Sequence, residues 1–225
     1  MSGDFDVVRH PRARRTKLSF DPLTGRARLT LPPRASLDRA MAWARGQAAW
    51  VERQRSVLPE ARPFVPGATL PFDGATLTIR WQEGAPRAVR REGDALFLGG
   101  PLDTVARRVE AWLRRQALAL LEADTAVYAA RAGVTVSAVA VGDPRGRWGS
   151  CAHDGAIRYS WRLAMAPPEV RRATAAHEVA HRVHMNHSPA FHALVARLYE
   201  ADPAPARRWL RAHGAALHWY GRSPS

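Results

Sequence analysis

The chain has 225 residues, with 34 Arg or Lys against 20 Asp or Glu and a formal net charge of +14. Hydrophobic residues make up 46% and aromatic residues 8%, which excludes a disordered chain and allows a core in one domain or two small ones. No apolar run approaches membrane-spanning length, the N-terminus lacks a secretory apolar segment, and the single cysteine, Cys151, excludes an intrachain disulfide, so the cytoplasm is the expected setting.

The positive charge is almost all arginine, since Lys17 is the one lysine. With abundant Ala and Pro, this reads as the footprint of a GC-rich coding sequence. Arginine still grips phosphate well, so acidic partners are expected. The densest patch, Arg9, Arg12, Arg14, Arg15 and Lys17, is a candidate nucleic-acid contact, with a solvated basic face as the plain alternative.

In chain order, "KLSFD" and "RARLTLP" flank a Pro-Leu-Thr-Gly turn and predict a hairpin,. Ser36 then caps a predicted helix running to about Gln54, with Met41, Trp43, Ala44, Ala48 and Val51 among its apolar positions,. A Pro-rich stretch, 59–71, precedes short strands at "TLTIRW" and "ALFLG". Gly99-Gly100-Pro101 is the expected boundary between an N-terminal β-rich mixed subdomain, 1–100, and a catalytic domain, 101–225,. Beyond it a long amphipathic helix is expected from about Leu102 to Ala132, ended by Gly133, then a strand at "VTVSAVAV".

"RWGSC", 147–151, leads into an Asp154-Gly155 turn and a second strand,. Along 156–163, Ile157, Tyr159, Trp161 and Leu163 share one face, with Arg158, Ser160 and Arg162 on the other,. Pro167-Pro168 opens the next helix, and a last helix is expected near Ala204–His213.

That next helix carries "HEVAHRVHMNH", 177–187, which places four of the chain's nine histidines within eleven positions. A chance HExxH pattern is expected in about one chain in 70 of this composition,, so accident is a poor explanation. On a helix, His177 and His181 stand one turn apart on one face and can reach a single ion, with Glu178 beside them. Ala176, Val179, Ala180 and Val183 form the opposite, core-facing stripe,. Two imidazoles suit zinc, and a catalytic zinc needs a third protein ligand while keeping one position for water. His184, His187 and Glu200 are the candidates. Asn186 reads as a helix end and Ser188-Pro189 as a new start, so a sharp turn can swing His187 back over the ion, and His187 is preferred. Cys151 beside the Gly-Ser turn reads first as a small packed residue and second as a reactive thiol.

"GRWGSC", "IRYSWRLAMAP", "HEVAH" and "NHSPAF" together resemble the YgjP-like metallopeptidase domain, a family related to the SprT and WLM zincins. The resemblance extends to the N-terminal basic hairpin and the helix carrying Trp50. It implies an α+β, zincin-like fold with His177, His181 and His187 as zinc ligands and Glu178 as general base. The chain departs from the family where His192, not Trp, follows Phe191, and where Ala173-Thr174-Ala175-Ala176 stand in place of bulkier residues; both bear on substrate preference.

With zinc, a bound water becomes acidic enough to ionise near neutrality, and Glu178 takes its proton and passes it to the leaving amine. Arg147, His184 and Tyr220 are candidate oxyanion donors, and Arg147, Tyr159 and Trp161 candidate substrate-binding residues. The strand at 156–163 is the expected edge for an extended peptide. Three readings follow: a zinc metallopeptidase acting on a peptide or protein substrate; a metal-dependent nucleotide (UTP) pyrophosphohydrolase, an activity linked with relatives of the family, for which several arginines should converge on the pocket; and a basic nucleic-acid-associated protein with a closed, structural metal.

Overall fold

The computed structural model describes residues 5–223. The chain divides into two compact units, Met1–Glu60 and Ala61–Ser225. Among the described residues the fold is mixed α+β, with three small sheets and six α-helices, none long and apolar enough to cross a membrane.

In the first unit β3 (Arg26–Leu31) is central, paired antiparallel with β2 (Lys17–Asp21) and parallel with β1 (Phe5–Arg9). The predicted hairpin is β2–β3; Asp21 closes it by accepting from the Leu23 amide and the Thr24 hydroxyl, each at 2.9 Å. Alternation along β3 turns Ala27, Leu29 and Leu31 inward, and the two leucines pack with Ala40 and Ala44 of α1 (Leu37–Arg45),. Ser36 caps α1, accepting from the Arg39 amide at 3.3 Å,. The helix expected to continue to Gln54 is broken, because the ladder tightens at Gly46-Gln47, where the Gln47 amide reaches Ala44 O at 3.0 Å, and α2 (Ala48–Arg55) starts afresh. Glycine gives a helix interior little support. Within the basic cluster, Arg9 is occupied: its guanidinium donates to the carbonyls of Pro32 (3.1 Å) and Pro33 (2.8 Å).

The second unit opens with a four-stranded sheet, in the order β4 (Thr69–Phe72), β5 (Ala75–Trp81), β7 (Ala95–Leu98) and β6 (Arg90–Glu92). The boundary expected at residue 100 falls inside this unit. Leu70, Leu77, Ile79, Leu96 and Leu98 share one core with Val105, Val109 and Leu113 of α3 (Val105–Ala132). The glycines there serve close approach rather than linker flexibility: a methyl on Gly99 would fall 2.0 Å from the Ala85 carbonyl oxygen. Gly133, at φ 66°, ends α3 as expected,.

Next come β8 (Ala138–Gly142), β9 (Gly149–Cys151) and β10 (Ala156–Ser160), with β10 in the centre of the three. The strand stops at Ser160 and runs into a 3-10 segment, Trp161–Met165. Then follow α4 (Pro168–Ala180), α5 (Pro189–Tyr199) and α6 (Ala204–Leu217). α4 lies between two cores: Val170 and Ala173 join the core of the four-stranded sheet, while Ala175, Ala176, Val179 and Ala180 pack with Tyr159, Phe191 and Leu194. This explains the run Ala173-Thr174-Ala175-Ala176, all buried; a helix surrounded on every side needs small residues. Arg171 pins α4 by donating to Asp124 of α3 (2.7 Å) and to Asp73 in the β4–β5 turn. That turn is the two-residue Asp73-Gly74, both at positive φ, a hairpin geometry Asp-Gly favours.

Candidate metal centre

His177 and Glu178 occupy the last turn of α4, and His181 is its C-cap. The helix ends well before Asn186, because the amides of Arg182 and Val183 close tight turns onto Val179 O (2.9 Å) and Ala180 O (3.1 Å). The chain then doubles back and carries His187 over the other two. His177 Nε2 and His187 Nε2 are 3.2 Å apart, and the three ligand nitrogens all lie within 4.8 Å of one another. Nitrogens sharing a tetrahedral zinc at about 2.0–2.1 Å stand roughly 3.3 Å apart; the His177–His187 pair already has that spacing, and the donor set suits one such ion once the widest pair of the trio closes onto it.

The tautomer of His181 is set by its surroundings. Its Nδ1 lies 3.0 Å from the His184 carbonyl oxygen, which can only accept, so Nδ1 carries the hydrogen and Nε2 keeps its lone pair for an ion. His184 thus contributes its backbone, while its ring lies outside the cluster. Glu200, the other alternative ligand, caps α5 at φ 59° with its carboxylate 3.1 Å from Arg131.

Phe191 supports all three rings. Its centroid is 4.5 Å from that of His181, 4.8 Å from His187 and 4.9 Å from His177. Ser188 sets its direction by capping α5, accepting from the Phe191 amide at 3.3 Å. Burial, followed by the neighbouring His181 and His187, pushes His177 down to about 4, and burial also lowers His181. Both are therefore neutral near pH 7, the form a metal binds. Glu178 is buried, and burial pushes it up to about 7 against the opposing charge of Arg147. Gly149 of β9 makes room for this carboxylate: a Cβ there would lie 2.4 Å from Glu178 Oε1.

A family model described as YgjP-like, metallopeptidase domain, matches residues 14–213. The chain belongs to the YgjP-like metallopeptidase family. That membership marks it as a metal-dependent hydrolase of peptidase type. No curated protein and no solved structure matches the chain.

Two substrate-binding candidates need correction in this YgjP-like chain. Tyr159 and Trp161 are both fully buried. The Tyr159 hydroxyl is paired with Thr125 Oγ1 at 2.9 Å, and the Trp161 ring is faced by the guanidiniums of Arg162 (4.4 Å) and Arg114 (5.3 Å). Neither can touch a substrate. Nor can β10 offer an edge, since β8 and β9 occupy both its sides; the edge strand beside Glu178 is β9. Tyr220 is also removed as an oxyanion donor, because it is buried in the core and its hydroxyl takes a hydrogen bond from Arg62.

Arg147 lines two adjoining cavities, of about 260 and 320 Å³, that share Gly149, His177 and Glu178. Cys151 lines the larger one, but burial raises its thiol and Sγ donates to Ala152 O at 3.5 Å, so the reactive thiolate is scarce.

Sequence reasoning missed the network holding the segment that carries Arg147 and Trp148. Arg162, 7% exposed, donates twice to Asp143 (2.7 and 3.0 Å) and to the carbonyls of Leu217 (2.6 Å) and Tyr220 (3.1 Å). The Trp148 ring lies 5.5 Å from that of His218, itself 3.8 Å from Asp143. Only the alternation of 156–163 hinted at Arg162, and it placed that side chain on a polar face.

Proposed function

We propose that this member of the family is a zinc peptidase in which His177, His181 and His187 hold the ion and Glu178 is the general base. The observation that carries the reading is the trio of imidazole nitrogens within 4.8 Å beside a buried carboxylate that lines the same cavity. A zinc ion supplies Lewis acidity toward a carbonyl and makes water a competent nucleophile near neutral pH. Glu178 takes the proton of the attacking water and hands it to the leaving amine. The free edge of β9 pairs with the main chain of an extended peptide,. Arg147, which lines both cavities with Glu178, is the candidate donor to the negative charge that develops.

Two features weigh against the other readings. Among the described residues no fourth His, Cys, Asp or Glu joins the trio, which favours an open site over a closed structural one. The cavity of about 260 Å³ is lined chiefly by apolar residues, with Arg147 and Arg207 as its two arginines, which favours a peptide side chain over a triphosphate.

The test is a screen of metal-loaded protein and its Glu178→Gln variant against peptide libraries and nucleoside triphosphates. The wild type is expected to cleave peptides. The variant keeps its metal by elemental analysis and loses roughly 10²- to 10⁴-fold in rate. Undiminished turnover by the variant removes Glu178 as base, and pyrophosphate release without peptide cleavage replaces the peptidase with a nucleotide hydrolase.

A further inference from the structure

The cavity of about 260 Å³ beside Glu178 is built from three helices and the segment entering β9. Ala173 of α4, Val195 of α5, and Ala206 and Leu210 of α6 give it apolar walls. Thr174 also lines it, but its hydroxyl is already donated to Val170 O at 2.9 Å. Trp148 forms a fixed wall: a methyl on Gly214 of α6 would fall 2.6 Å from its ring, so the two surfaces are in close contact. The volume is below the roughly 300–1,000 Å³ of sites that enclose whole ligands, and suits one side chain.

Apart from His177 and Glu178, the charged residues lining this cavity are Arg147 and Arg207. Both are exposed, and neither is in a salt bridge among the described residues. Some arginines of this unit are in ion pairs, Arg114 with Glu110, Arg131 with Glu200, Arg162 with Asp143 and Arg171 with Asp73 and Asp124. In a chain with 34 basic and 20 acidic side chains others are not, so what distinguishes Arg147 and Arg207 is the cavity they line. Arg147 is set against the charge of Glu178, which leaves Arg207 as the guanidinium on this apolar hole with no carboxylate partner among the described residues. Together they are complementary to an apolar group with a carboxylate close by.

We propose that this cavity is the specificity pocket of the enzyme, taking an apolar side chain next to the scissile bond while Arg207 and Arg147 receive a carboxylate within one residue of it. The carboxylate is the free C-terminus of the peptide or an acidic side chain. Leu210 and Ala206 set the size of the residue accepted, and Arg207 sets the preference for negative charge.

The proposal rests on the peptidase reading, but its test needs no turnover. Binding to the metal-loaded Glu178→Gln protein is measured by calorimetry with four blocked peptides: N-acetyl-Ala-Phe as free acid, the same as amide, N-acetyl-Ala-Phe-Asp amide, and N-acetyl-Ala-Lys as free acid. The Phe acid is expected to bind at least tenfold more tightly than both the Phe amide and the Lys acid. Arg207→Gln, an exposed position, closes the gap between acid and amide. Leu210→Trp fills the cavity and removes the preference for Phe over Lys, with folding checked by circular dichroism.

Tight binding of the Phe acid alone assigns the carboxylate to the peptide terminus; equal gain with the Asp peptide assigns it to an acidic residue. Equal affinity for Phe and Lys, a Phe amide that binds as tightly as both the Phe acid and the Asp peptide, or no binding overturns the proposal, as does a carboxylate-dependent gap that survives both Arg207→Gln and Arg147→Gln. Selective binding without wild-type cleavage keeps the pocket and removes the peptidase reading. Wild-type cleavage without that selectivity does the reverse.

Discussion

Gly149 and Glu178 are so close that a methyl on the glycine would sit 2.4 Å from the carboxylate Oε1. β9 thus fixes where the carboxylate stands, and only a residue without Cβ allows it. Gly149→Ala is expected to push Glu178 aside while leaving the three imidazoles in place. A displacement of about 1 Å in a reacting group costs on the order of 10²-fold in rate. Peptide hydrolysis and elemental analysis on the same preparation separate the outcomes: normal rates with alanine would mean that Glu178 does not act from this position.

His184 and His187 make opposite contributions to the cluster. His187 brings a ring nitrogen to 3.2 Å from that of His177, whereas His184 offers a backbone oxygen to His181 Nδ1. Alanine at 184 preserves that oxygen, and alanine at 187 deletes a ligand. Bound zinc after exhaustive dialysis is therefore expected to fall severalfold or more in His187→Ala and to stay near the wild-type level in His184→Ala. The reverse ranking would move the third ligand to His184.

Phe191 is fully buried and packs on His177, His181 and His187. Phe191→Ala is expected to cost about 3–5 kcal/mol of stability, the range for emptying a buried phenylalanine site. It also frees the rings it supports, so zinc affinity should fall further than for a core truncation away from the histidines, such as Leu77→Ala. Urea titration with and without zinc measures both; equal loss of zinc affinity in the two variants would reduce Phe191 to ordinary packing.

The histidine cluster was legible because its spacing is itself a geometric instruction. His177 and His181 one turn apart and Ser188-Pro189 as a new start lead to a doubled-back chain without any knowledge of the core, although the helix stops at Ala180 and not at the expected Asn186. The sequence also announced the hairpin at Asp154-Gly155, which holds Gly149 in register with Tyr159. What stayed hidden depends on tertiary partners. Alternation along 156–163 does not reveal that β10 is central and that Arg162 turns into the core onto Asp143. Gly99-Gly100-Pro101 looked like a linker because a glycine needed for close packing and one needed for flexibility are written with the same letter. The walls contributed by α6 could not be read, since Ala206, Arg207 and Leu210 form an unremarkable amphipathic run until they meet Glu178 across a cavity.

The C-terminal end of α6 supplies a pH dependence of stability. His218 is 4% exposed, and burial, reinforced by the charge of Arg162 and opposed by Asp143, pushes it down to about 4 from the usual 6.5. It is neutral in the folded protein, while the unfolded chain takes up a proton near 6.5. Between those values the unfolded state binds more protons, so stability falls as pH drops from 6.5 toward 4 and is unaffected by this group above about 7. A shift of that size amounts to about 3 kcal/mol at most. Asp143, whose carboxyl is held low by its hydrogen bonds with Arg162, has the usual sign for an acid. Its stabilisation is full above the ordinary carboxylate range and is lost progressively as the pH falls through and below that range, at the acid end of the His218 window and beneath it,. Urea unfolding at pH 7, 6 and 5, with chelator present so that His177 and His181 contribute equally to both proteins, should show a shallower loss in His218→Gln than in the wild type. Identical slopes would mean that His218 takes up its proton in the fold over the same range as in the unfolded chain and carries no proton linkage.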